Sequence, residues 1–157
     1  MSTKHRCCFT GHRPEKLYID EDYAKELLKK EIKRAIADGF YVFITGMARG
    51  IDMWAAEIVI EERESNPDLK LVCAIPHPDF EIRWSRREKD RYHNILAESD
   101  FTECICDKFS MDAYQKRNVW MVNHSNRVIA AFTGQSGGTR NTIDYAEKKG
   151  IEVINIL

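Results

Sequence analysis

Six short apolar runs punctuate the chain, and a segment of helical periodicity separates most of them. The runs are Cys7–Thr10, Tyr41–Thr45, Leu69–Ile75, Thr102–Cys106, Arg127–Phe132 and Glu152–Ile156. Several are almost continuously apolar, such as Tyr41-Val42-Phe43-Ile44 and Val128-Ile129-Ala130-Ala131-Phe132. Continuous runs suit strands covered on both faces, as in a parallel sheet. Between them, Ala24, Leu27, Leu28, Ile32, Ala35 and Ile36 mark one face of a helix from about Asp20 to Asp38. Asp20 supplies an N-cap and Gly39 a stop. Further helices are expected from Ile51 to Glu64, Ser85 to Glu98, Met111 to His124 and Thr142 to Lys149. Strand–helix alternation on this scale builds right-handed β-α-β units. The expected architecture is a Rossmann-like three-layer α/β/α sandwich with a mainly parallel sheet, one domain over residues 1–157.

Composition narrows the class. The 24 basic and 25 acidic side chains leave a net charge of −1, which argues against coating long nucleic acid by bulk charge. No apolar run approaches the ~18 residues of a membrane helix, and the polar start Met1-Ser2-Thr3-Lys4-His5-Arg6 has no leader-like stretch, so a cytoplasmic protein is expected. The five cysteines, Cys7, Cys8, Cys73, Cys104 and Cys106, are an odd number and fall in strand-like runs; reduced core thiols are expected. No metal-ligand spacing, P-loop or GxGxxG fingerprint occurs, so no metal or other cofactor is expected.

Ligands of open parallel sheets bind beyond the carboxyl ends of the strands. Three of those positions repeat one theme: Thr10-Gly11-His12-Arg13, Thr45-Gly46-Met47-Ala48-Arg49-Gly50-Ile51-Asp52, and Thr133-Gly134 leading to Gly137-Gly138-Thr139-Arg140. Each is Thr-Gly followed closely by an arginine. Glycine lets the backbone approach a ligand, helix starts present free N–H groups, and arginine offers a bidentate fork for phosphate. An anion site is expected at these loops, with His12 as a further contact. Asp52 and Asp144 follow two of the loops, as readers of ribose hydroxyls or as catalytic carboxylates on a glycosidic bond. Trp84, or Tyr92 in the same aromatic and basic stretch, would stack on a base.

The two stretches Thr10-Gly11-His12-Arg13-Pro14 and Gly46-Met47-Ala48-Arg49-Gly50-Ile51-Asp52 resemble the YpsA-type branch of the SLOG superfamily. The second is also similar to a segment of the DNA-processing protein DprA. Ser136-Gly137-Gly138-Thr139-Arg140-Asn141-Thr142-Ile143-Asp144 looks like a variant of the PGGxGTxxE signature of LOG phosphoribohydrolases, and the helix carrying Arg117-Asn118 has the look of the YpsA branch. The resemblance implies a Rossmann-like domain for a nucleotide or nucleotide-derived ligand, held without turnover as in a sensor. A second implication is hydrolysis of a nucleoside 5′-monophosphate, with Asp144 standing at the family's Glu position. Its shorter side chain reaches ~1 Å less, and a misplacement of that size costs ~10²-fold in rate, so binding is the first expectation. Single-stranded nucleic acid is a third and weaker expectation. No membrane partner is expected, and a homodimer is one expected assembly.

Overall fold

The computed structural model describes residues 5–157. Residues 1–4, part of the polar start noted above, lie outside them. Strands β1 (Arg6–Gly11), β2 (Val42–Thr45), β3 (Lys70–Ile75), β4 (Phe101–Cys104), β5 (Arg127–Ala131) and β6 (Glu152–Asn155) alternate with helices. The helices are α1 (Pro14–Leu17), α2 (Glu21–Ala37), α3 (Ile51–Arg63), α4 (Arg86–Glu98), α5 (Ala113–Asn123) and α6 (Gly138–Lys148). The strands form one parallel sheet in the order β4-β3-β2-β1-β5-β6. From β1 the chain works outward to β4, then crosses back to lay β5 on the other side of β1. The result is the α/β Rossmann-like fold.

The two-residue period of a strand divides the core. Cys7, Phe9, Phe43, Leu71 and Cys73 face one helical layer, packing with Leu28 and Ile32 of α2 and Trp54 and Val59 of α3. Cys8, Ile44, Ala74 and Val128 face the other, against Met121 and Val122 of α5 and Ala146 of α6. Every residue of β5 is buried, which is why Val128 to Ala131 are continuously apolar, while the buried Arg127 is paired with Asp38 and Glu152. Asp20 caps α2 by accepting from Tyr23 N at 3.2 Å, and Ser85 caps α4 by accepting from Glu88 N at 3.2 Å. No helix among the described residues is long and apolar enough to cross a membrane.

Three expectations need correction. The five cysteines are free, yet only Cys7, Cys8 and Cys73 are buried; Cys104 is exposed and Cys106 half-buried. The cause is position: β4 is an edge strand and ends at Cys104. Burial pushes the Cys8 and Cys73 thiols up to about 12, as expected of inert core cysteines. Second, α6 begins at Gly138 rather than at Thr142, because Gly137 serves as its N-cap instead of a loop residue. Third, the helices expected from the sequence omit α1, into which the first glycine turn runs directly, with Pro14 in its first turn.

Candidate functional site

Where a parallel sheet reverses its direction of growth, the chain leaves neighbouring strands toward opposite layers and a crevice opens between the loops. Here that point lies between β1 and β5. A cleft of about 600 Å³ occupies it, within the range of small-molecule sites. The turn after β1 contributes Thr10, Gly11, His12 and Arg13, and α1 adds Lys16. The turn after β2 contributes Ala48, Arg49 and Asp52. Phe80 and Trp84 come from the segment before α4, and Tyr114, Arg117 and Asn118 from α5. Ser136, Gly137, Gly138 and Thr139 close the ring at the start of α6.

One end of the cleft suits an anion. Gly137 has φ +134°, a conformation L side chains rarely adopt, and no side chain caps the helix it opens. The first N–H groups of α6 are therefore left for an outside acceptor. Arg13 and Lys16 add positive charge to the lining of the same cleft. Arg49 is already engaged: Glu15 of α1 takes its fork at 2.6 and 3.2 Å, and that guanidinium holds the Glu15 carboxyl below its usual range. His12 is buried; its Nε2 accepts from Thr133 N at 3.3 Å, and burial followed by Lys16 lowers its pKa. It ties the β1 turn to the β5 turn as a neutral ring while facing the cleft.

The middle holds a buried carboxylate and a buried guanidinium. Asp52 is 6% exposed and Arg117 5%. Asp52 Oδ2 accepts from Ala48 N at 3.3 Å, while Oδ1 is buried with no partner among the described residues. Burial pushes the Asp52 carboxyl up to about 6, against the pull of Arg117 and the Ala48 N–H. Arg117 donates through Nη1 to the Gly46 carbonyl and through Nε to Asn118 Oδ1 at 2.9 Å, with its guanidinium 5.7 Å from the Phe80 ring. A Cβ on Gly46 would lie 2.9 Å from Asp52 Oδ2 and 3.0 Å from Arg117 Cζ. Glycine there is what lets the two charges flank the same turn.

The other end is aromatic. Phe80 and Trp84 meet at 5.1 Å and Phe80 and Tyr114 at 5.8 Å between centroids. Tyr92 is buried and meets Trp84 edge-on at 5.4 Å. It packs behind the wall and is not among the residues that line the cleft. Arg91 of α4 does not line the cleft and is paired at 2.6 Å with Glu57 and 3.0 Å with Glu88.

Not every expected site residue joins the ring. Thr45 lies beneath it: its hydroxyl donates to the Asp52 carbonyl at 2.8 Å and accepts from Met47 N at 3.2 Å, which shapes the turn. Gly46 and Gly50 act in the same way, since a Cβ on Gly50 would meet Pro14 Cδ at 2.9 Å. Arg140 is exposed and donates to Gly134 O at 3.2 Å, bracing its own loop. Asp144 lines a separate shallow hollow with Gln115, Asn141, Tyr145 and Lys148. The reason is the early start of α6, which carries Asp144 into the second turn and away from the cleft. Asp144 and Asp52, expected together as catalytic carboxylates, thus line different hollows.

Arg117 and Asn118 were legible only as a family likeness. The physical signal was present: Ala113, Arg117 and Met121 recur at four-residue spacing and all three are buried, so a charge stands in an apolar stripe. Gly11 offers a check on the geometry, since its Cβ would lie 2.5 Å from Ile51 Cγ1 and 2.8 Å from Ile51 Cβ. Gly11→Ala is expected to destabilise the fold by about 1–3 kcal/mol through overpacking, measured by chemical denaturation.

The family model described as the YspA SLOG family matches residues 7–153. A UPF0398 protein of Bacillus pumilus (strain SAFR-032) is 32% identical over 139 residues, covering 83% of this chain and 74% of its own. A UPF0398 protein of Bacillus thuringiensis (strain Al Hakam) is 29% identical over 155 residues, covering 93% and 84%. Among solved structures, the single-stranded-DNA-binding DNA processing protein A of Helicobacter pylori superposes with TM-score 0.66 at 18% identity. That match covers 94% of this chain, which spans 63% of the neighbour's length. The structural-genomics target TM1055 superposes with TM-score 0.61 at 13% identity, covering 94% of this chain and 71% of its own. At these identities the two structures speak for the fold.

Proposed function

The chain belongs to the YspA SLOG family, and on that premise we propose that its cleft binds a nucleotide or nucleotide-derived molecule without turning it over, as a ligand sensor does. One observation carries the reading: a single cleft joins an uncapped helix start and cations at one end to an aromatic wall at the other. Phosphate suits Gly137, Gly138 and Thr139 with Arg13 and Lys16. A base suits the faces of Phe80, Trp84 and Tyr114. Hydrolysis of the glycosidic bond loses its second carboxylate, because Asp144 lies outside the cleft.

The test is a panel of nucleotides scored by melting shift and by release of free base. A binder present at a hundred times its Kd adds about 2.7 kcal/mol of stability. The expected result is a shift with intact nucleotides, a smaller one with ribose 5-phosphate, and no free base. No shift with any nucleotide overturns the proposal. Stronger binding of oligodeoxynucleotides, falling steeply with salt, would instead assign a single-stranded-DNA site.

Glu15 provides a second check. A phosphate approaching Arg49 must displace the Glu15 carboxylate, whose exposed ion pair is worth about 0–1 kcal/mol. Glu15→Gln is therefore expected to tighten nucleotide binding by up to about fivefold in calorimetry. Weaker binding would mean that Glu15 positions the fork instead of competing for it.

A further inference from the structure

We infer that the middle of the cleft is a ribose-reading subsite built on Asp52 and Asn118, so that the ligand is a ribonucleotide and not a deoxyribonucleotide. The inference rests on the nucleotide reading above and names the sugar. Asp52 lines the cleft, is 6% exposed, and has one carboxylate oxygen without a partner. A buried oxygen of this kind calls for a donor, and the described residues supply none to Oδ1. A fully ionised phosphate does not answer it, because its oxygens are acceptors and its charge has the same sign. A hydroxyl can.

Sheet order places the oxygen between the two ends. The anion-binding turns follow β5 and β1, the aromatic segment follows β3, and Asp52 follows β2. In a nucleotide the sugar lies between phosphate and base, so the group brought to Asp52 is the ribose. Asn118 complements the carboxylate. Its Oδ1 already accepts from Arg117, which leaves its amide N–H groups free to donate into the cleft it lines. Its Nδ2 lies 4.0 Å from where a Cβ on Gly138 would stand, on the phosphate side of the cleft. An acceptor and a donor lining one cleft match the two adjacent hydroxyls of a cis-diol. Arg117 fixes Asn118 and balances the Asp52 charge from beneath, with Gly46 making room for both.

Sites built to hydrogen-bond a hydroxyl discriminate strongly against analogues that lack it, because their own polar groups are then left unpaired. The experiment is isothermal titration of the full chain with adenosine, guanosine, cytidine and uridine 5′-mono- and diphosphates and their 2′-deoxy counterparts. The expected result is at least tenfold weaker binding of the 2′-deoxy form of each ligand that binds. In Asp52→Asn and in Asn118→Ala that ratio should shrink to within about twofold; the second variant serves if the first fails to fold. Equal affinity for the two sugars in the native chain overturns the ribose assignment and leaves nucleotide binding standing. An unchanged ratio in both variants also overturns it. Binding by none of the ligands removes the nucleotide reading itself.

Discussion

Arg117→Ala is expected to lower the melting temperature by about 6–12 °C at pH 8, on a loss of about 3 kcal/mol. Three contributions act together. The Gly46 carbonyl loses the donor that satisfies it. Phe80 loses the guanidinium near its ring, and with it part of the support of the aromatic wall. Asp52 loses the cation that opposes its burial. Removing one member of a buried charged arrangement costs more than the pair contributes, because the survivor remains desolvated. The pH dependence gives the mechanism away. Without Arg117 the Asp52 carboxyl rises further above its present value of about 6. The variant then escapes the penalty by protonating, so the loss should be largest at pH 8 and shrink toward pH 5. A loss independent of pH would assign the effect to packing alone. Arg117→Lys, which keeps the charge but not the planar fork, should recover the pH dependence and only part of the stability.

The same residue explains where sequence reading stops. Alternating apolar runs and helical stretches are enough to place β1 to β6 and their parallel order of layers, because each strand's burial is written in its own residues. The theme of Thr-Gly and arginine after a strand is equally local, and the structure gathers Thr10, Arg13, Arg49, Asp52, Gly137 and Thr139 around one cleft. What spacing does not carry is side-chain direction in a helix whose start is displaced. Placing the start of α6 at Thr142 instead of Gly138 puts Arg140 in a loop and Asp144 in a first turn. In the structure neither lines the cleft. Arg117 is a different case: its four-residue spacing with Ala113 and Met121 is legible, but what the buried arginine meets is not, since Gly46 must leave space for it. That contact joins residues far apart in the chain, and no local pattern encodes it. Thr45, Gly46 and Gly50 show a third case, in which residues chosen as ligand contacts instead shape the turn that holds Asp52.

Asp52→Asn is expected to make the protein more stable and the site useless. The Asp52 carboxyl lies at about 6 in the folded chain, above its ordinary value of 3.8. Between those values the folded state binds a proton that the unfolded state does not, so this group's contribution falls as pH rises. By pH 8 the ionised form costs on the order of 2–3 kcal/mol, a cost absent below about pH 4, where both states are protonated. Asparagine removes the charge at every pH. Its oxygen can keep the Ala48 N–H, while its amide nitrogen takes the place of the unpartnered Oδ1 and gives back part of the gain. The net expectation is about 1–2 kcal/mol of added stability at pH 8, a melting temperature about 2–8 °C higher, and no gain at pH 4. Affinity for the ligand should fall at least tenfold in the same variant. Greater stability with lost binding is the mark of a residue kept for its ligand, since a strained and partly unsatisfied site costs the fold free energy that only the bound state recovers. Denaturation of the native chain and the variant at pH 4, 6 and 8 decides it. A variant less stable than the native chain at pH 8 would mean that the carboxylate is already satisfied within the protein, and that no ligand hydroxyl is needed to complete it.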